Sequence, residues 1–501
     1  MHEIAGISIQ KERSNFMKVK NLGKMFHGYT IWVWYIIKKC EKGGTVYMAS
    51  KSMVEGNPLK LIISFSIPLL LGNLFQQFYN VVDAAIVGQT LGSKALASVG
   101  ASSSVQFLII GFCMGICQGF AIIVAQCFGA KRMEDMRKNM FVGAVWTAIF
   151  AVVVTALVVI FCPTILHILQ VNEELFPNAY AYLVIIFGGI PFTLLYNYLS
   201  AILRAVGDSK TPFYFLALSS VLNIGLDFFC ILVLHMGCAG AAFATIFSQA
   251  VSGVLCLILI VKKVPLLHIS KEERVIDWTT SLRLLGMGIP MGLQFSITAI
   301  GSMVMQSANN ALGTVYVSGF TAGMRIKSLM MCPFDALGSA VSTFLSQNYG
   351  AGNVERIHEG YKKGIMTGIA YGIFAGVVMI FFGRLMSMLF VSAGESAVLD
   401  ASALYLRRMG YFYLVLGVLI TTRMSVQGLG YSTRAMTAGM VEMVARCVVA
   451  LVFVPIFKYD GITWADQTAW TSAVLVLIPI WFMTKKAVET KIQQEKTLQQ
   501  F

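Results

Sequence analysis

Apolar stretches long enough to cross a lipid bilayer recur along this chain of 501 residues, and no other property limits its fold so severely. A helix needs about 20 mostly apolar residues to span the hydrocarbon core. Twelve segments meet that length: 61–88, 95–128, 139–161, 180–203, 212–235, 238–261, 282–311, 315–348, 363–390, 404–428, 434–457 and 467–484. A bilayer interior offers no water to backbone amides, so a spanning segment must bond internally. The expected fold is all-α and integral to the membrane, with twelve transmembrane helices. Composition agrees, with 57% hydrophobic and 12% charged residues against roughly 45–50% and 25% in soluble domains.

Lys and Arg fix the orientation. They crowd the connections after even-numbered spans: "KRMEDMRKN", Arg204 with Lys210, "KKVPLLHISKEERVIDWTTSLR", Arg356 with Lys362 and Lys363, and Arg434. Connections after odd spans hold only Lys94, Arg407, Arg408 and Lys458. The positive-inside rule then puts both termini in the cytoplasm of a cell with an inner membrane. The formal charge of +14 follows from the same bias and points to anionic lipid headgroups, not nucleic acid. Ten cysteines show neither metal-ligand spacing nor a disulfide framework, and the "CMGIC" pair, Cys113 and Cys117, reads as packing. Residues 1–47 are polar and basic apart from a short "YTIWVWYII" run. "KGGT", Lys42 to Thr45, is compatible with a ribosome-binding site in the underlying DNA, so translation is expected to start at Met48 or Met53.

The chain repeats itself. "VGQTLGSKALASVG" and "ANNALGTVYVSGF" share Leu-Gly at an offset of 221, which also lays Gln126 over Gln347, Gly129 over Gly350 and Gly143 over Gly364. Pro68 and Pro290 follow at 222. Two homologous six-helix bundles are implied, both entering the membrane in the same direction, an arrangement used by carriers that rock two halves about a central site. The divisions expected are an extension 1–56, an amino lobe 57–262, a cytoplasmic linker 263–281, a carboxy lobe 282–486 and a tail 487–501.

Intramembrane ionisable residues are costly and mark function by default. Asn73, Gln76, Asn80 and Asp83 fall on one face of the first span, a polar stripe that must face protein or water. In the fifth span, "LNIGLDFF" sets Asn223 and Asp227 four residues apart on one face. Two carboxylates with amide oxygens make a site for a proton or Na+; the alternative is a hydrogen-bonded cluster that fixes helix packing. The repeat replaces Asp83 by Val304, Asn223 by Arg446 and Asp227 by Ala450. The acids are therefore not demanded by the shared fold. Glu442 and Arg446 are spaced to neutralise each other, either as a structural ion pair or as cavity lining. Arg325, Lys327 and Asp335 are further cavity candidates. Pro68 permits a bend in the first span, as a passive kink or a hinge.

These residues resemble the multidrug and toxic compound extrusion (MATE) family, in the bacterial branch related to its DNA-damage-inducible members. "IPLLLGNLFQQFYNVVDAAIVGQTLGSKALASVG", "AQCFGAK", "LRAVGDSKTPF", "LNIGLDFF", "GAAFATI", "LGMGIPMGLQ" and "FLSQNYGAG" carry the likeness, which covers Pro58 to Lys486. The resemblance implies a V-shaped pair of lobes working as a monomer, without a cofactor and without enzymatic activity. It also implies export of amphipathic, often cationic drugs and toxins in exchange for H+ or Na+. It assigns the cation site to Asp83, Asn223, Asp227 and Thr245, and associates Pro68 with bending. Gln76, Asn80, Gln294 and Thr298 become cavity candidates, since the seventh span carries no acid. A lipid-linked oligosaccharide flippase of the same superfamily remains the alternative, kept open by Arg325, Lys327 and Arg446.

Overall fold

The computed structural model describes residues 52–168 and 171–498, so expectations about residues 1–47 lie outside it. Fifteen α-helices follow one another: α1 Pro58–Leu91, α2 Ser93–Gly129, α3 Met133–Ile160, α4 Cys162–Ile168, α5 Phe176–Gly188, α6 Ile190–Ala205, α7 Lys210–Phe228, α8 Gly237–Lys263, α9 Trp278–Asn310, α10 Thr314–Gly350, α11 Val354–Ser387, α12 Ser396–Gly428, α13 Ser432–Val448, α14 Val454–Phe457 and α15 Tyr459–Leu498. No strand occurs among the described residues. Eleven continuous helical segments are long and apolar enough to cross a membrane, and α5 with α6 makes a twelfth.

Several spans begin earlier than hydropathy suggested, the ninth at Val354 and the tenth at Ser396 among them, and two differences have a clear physical cause. The fourth is not one rod: α5 and α6 meet at 45°, where "GGIP" places two glycines before Pro191 and weakens helix continuity. The last span begins at Tyr459, eight residues earlier than its hydropathy suggested. Polar Asp466 and Gln467 are buried in protein there, so hydropathy understates the helix.

The repeat is written into the backbone. Gly92 and Gly313, Lys131 and Gly352, Gly207 and Gly430, and His235 and Lys458 are matched pairs at offsets of 221 or 223, and all eight have positive φ. One-turn π-helical segments occur at Phe229–Val233 and Val449–Phe453. Such segments often mark functional sites, and the first begins two residues after Asp227.

Buried residues form two hydrophobic cores, one mainly from α2–α8 and one mainly from α10–α15. The first helix of each repeat is shared between them. Leu61, Ile62 and Phe65 of α1 pack in the second core, whereas Ile86 and Val87 pack in the first. In α9 the order is inverted: Leu284, Met287 and Met291 belong to the first core and Met305 to the second. Pro68 and Pro290 lie inside these helices, and each removes a backbone hydrogen bond near the crossover. Just past Pro68, α1 meets α7, with the Phe75 and Phe213 rings 5.9 Å apart.

The halves interlock at the end carrying the basic connections. A Cβ built on Gly129 would run into the Gln347 carbonyl; on Gly119 and Gly115 it would come within 2.6 and 2.7 Å of the Cα atoms of Gly288 and Gly292. At Gly111 the nearest atom is 3.4 Å away, and at Gly100 nothing lies within 4 Å. The helices therefore diverge toward the opposite end. Gln347 ties the closed end together, donating to the Ala205 carbonyl at 2.8 Å and accepting from the Met53 amide at 2.8 Å. Asn348 and Arg356 donate to the Met53 carbonyl, at 3.1 and 3.0 Å. The linker is clasped too: Arg137 reaches both Glu273 oxygens, at 2.8 and 2.9 Å, and this holds the Glu273 carboxyl down to about 2.

Candidate cation and substrate sites

The polar stripe of α1 leads toward the end where the helices diverge. Asn73, Gln76 and Asp83 are half-buried and Asn80 is exposed. Asp83 lies beside Asp227 of α7. Asp227 and Asn223 are buried on the face of α7 turned into the lobe. The Asn223 amide donates to Thr245 Oγ1 of α8 at 3.2 Å. Three helices thus bring together Asp83, Asn223, Asp227 and Thr245.

The site is under-satisfied. Asp83 Oδ1, both Asp227 carboxyl oxygens and Asn223 Oδ1 are buried without a donor, and neither acid has a basic partner among the described residues. Unpaired buried polar atoms are expensive. Two negative charges at this separation repel strongly in a low-dielectric surround. A shared proton or a bound cation relieves both problems, and the four free oxygens are hard donors of the type Na+ accepts. Tyr79 of α1 and Tyr182 of α5 lie near both acids. Neither phenol stood out in sequence, because buried aromatics are common packing residues.

The second lobe holds a different arrangement at the matching place. Asp466 of α15 accepts from Lys327 Nζ of α10 at 2.6 Å, from Tyr405 of α12 at 2.8 Å and from Arg446 of α13 at 3.2 Å. Glu442 pairs with Arg423 and stands 3.6 Å from Arg446. The i, i+4 pair of Glu442 and Arg446 is therefore one link of a larger network, in which the nearer partner of each is elsewhere. Every member is buried, and each of the three cations meets at least one of the two acids. Asp466 had no sequence signal because it precedes the apolar run of α15, and Arg423 lies near the end of its helix.

The remaining candidates separate. Gln294 of α9 is buried and accepts from Gln427 at 2.6 Å, while Thr298 donates back to the Gln294 carbonyl at 3.0 Å. Asp335 and Arg325 of α10 are exposed and join neither cluster. No group of three or more His, Cys, Asp or Glu side chains suited to a metal occurs among the described residues.

Comparison with known proteins agrees with this architecture. The MatE family model matches residues 68–229 and again 290–452, one match per repeat. The probable multidrug resistance protein YpnP of Bacillus subtilis (strain 168) is 33% identical over 380 residues, covering 74% of this chain and 82% of the relative. An FAD transporter of Shewanella oneidensis is 24% identical, covering 72% and 80%. A solved multidrug resistance MATE family transporter of the MOP superfamily, in an outward-facing conformation, superposes with a TM-score of 0.82 at 22% identity, covering 87% of this chain and 98% of that one.

Proposed function

The chain belongs to the MatE family of membrane transporters, and on that premise we propose that it exports amphipathic, often cationic compounds in exchange for H+ or Na+ by alternating access. The observation that carries this reading is the Asp83–Asp227 pair, which lacks a basic partner and lies with Asn223 and Thr245 toward the divergent end. The basic end faces the cytoplasm of a bacterial inner membrane, and the conformation described opens outward. A cation entering from outside neutralises the pair; its release inside restores the repulsion. One charge moving through 100 mV yields about 2.3 kcal/mol, enough for roughly a fiftyfold gradient of exported compound.

Coupling needs the site to act on the lobes. Because α1 begins in one core and ends in the other, rocking the lobes must strain it, and Pro68 is where it yields at least cost. Occupancy of Asp83 on the far arm of α1 is thereby linked to separation at the basic end.

Of Arg325, Lys327 and Arg446, which kept a lipid-linked sugar flippase open, the last two are taken up by Asp466 and Glu442, while Arg325 is exposed. That favours drug export over the flippase. The reading is tested by efflux of ethidium from proteoliposomes: wild type exports the dye under an imposed cation gradient and Asp83→Asn does not. Full efflux from Asp83→Asn would defeat it.

A further inference from the structure

We propose that Arg204 and the hydroxyl groups facing it form an oxyanion-binding subsite at the basic end of the crevice between the lobes, which takes the carboxylate or phosphate group of an exported compound. A cavity of about 50 Å³ lies there, room for roughly three waters or one such group. Its polar walls are Gln118 of α2, Arg204 of α6, and Ser339, Ser342, Thr343 and Ser346 of α10. No acidic residue lines it.

Arg204 is half-buried and differs from the buried cations of this chain. Lys327, Arg423 and Arg446 each meet a carboxylate. Arg204 forms no ion pair among the described residues, and its guanidinium donates to no protein acceptor there. A planar fork of five donors inside a membrane protein needs an acceptor, and its geometry fits an oxyanion. Its place in the last turn of α6 favours a cation, since helix carbonyls converge there.

The opposite wall supplies neutral donors. Ser346 and Thr343 are committed to backbone carbonyls, but the Ser339 and Ser342 hydroxyls and the Gln118 amide have no hydrogen-bond acceptor among the described protein groups. These donors come from both sides of the crevice. An oxyanion is thus clasped only while the basic end is closed, and Arg204 faces the cytoplasm once it opens. The exporter would then recognise acidic or zwitterionic compounds at entry, at a place separate from the Asp83–Asp227 pair. The subsite rests on the export reading for its cargo, not for its existence.

Binding measured without transport separates the two. The full chain in lipid nanodiscs is titrated with carboxyfluorescein, an anion, and with ethidium, a cation, at constant ionic strength, with inorganic phosphate as competitor. Arg204→Gln is expected to lower the carboxyfluorescein-to-ethidium affinity ratio about tenfold, Arg204→Lys to recover part of it, and Ser342→Ala to lower it about threefold. Phosphate in the millimolar range should displace carboxyfluorescein from wild type. Should Arg204→Gln fold poorly, Ser342→Ala carries the test. An unchanged ratio in both variants, or no anion binding by wild type, overturns the subsite. Phosphate binding without carboxyfluorescein binding overturns its assignment to cargo. A chain that binds carboxyfluorescein through Arg204 yet shows no gradient-driven efflux would defeat the export reading alone.

Discussion

The two lobes place opposite electrostatics at matching positions of one repeated fold. Beside the first π-helical segment stand two acids with no basic partner, their oxygens buried and unsatisfied. Beside the second, Lys327, Arg423 and Arg446 are bound to Asp466 and Glu442. Duplication supplied both frames, and the contrast is that one left its acids without basic partners while the other gave each acid a cation. A site whose acids already hold cations of the protein has little reason to bind another; on the proposed reading, the unpaired acids take theirs from outside.

That contrast can be broken in order of expected effect. On the proposed reading, in which the acid is a ligand and not a brace, Asp227→Asn should reduce dye export from cells at least tenfold while the purified protein keeps its melting temperature. Asp466→Asn should do the reverse, removing the shared partner of Lys327 and Arg446 and costing about 3–5 kcal/mol of stability, read as a fall in melting temperature. If both variants behaved alike, the distinction between the lobes would fail.

Smaller effects sharpen the mechanical side. Gly119→Leu places a side chain where α2 and α9 touch, so spin labels at Ala130 and Ala351 should show longer distances as the basic end is forced apart. Arg356→Ala removes donors to the Met53 and Gly56 carbonyls, and should speed hydrogen exchange around Met53 several-fold with little loss of global stability. The smallest effect concerns the linker. Arg137 depresses Glu273 from an ordinary 4.5 to about 2, so the clasp contributes its full stability above about pH 4.5 and loses it as pH falls through 2. Glu273→Gln should make linker protection independent of pH over that range.

Much of this was legible in sequence because bilayer length and hydropathy are coarse, strong signals. The spans, the repeat and the stripe ending at Asp83 all follow from periodicity. The break between α5 and α6 escaped hydropathy, which does not register a change of direction. Asp466 escaped because it stands outside the apolar run that defined its span, and its partners come from three other helices. The crossing of α1 and α9 between cores escaped for a related reason: chain order assigns a helix to a lobe, whereas packing assigns each turn. Arg204 read only as one more charge of a basic connection, since its isolation from every acid is a property of three dimensions.

On the proposed reading, the unpaired acids of the first lobe couple cation entry to export. The most direct test is dye efflux from proteoliposomes carrying wild type or Asp227→Asn, driven in turn by a sodium gradient and by a pH gradient. At least one gradient is expected to drive efflux by wild type, and neither is expected to drive it through the variant. Gradient-driven efflux at the wild-type rate through Asp227→Asn would contradict it.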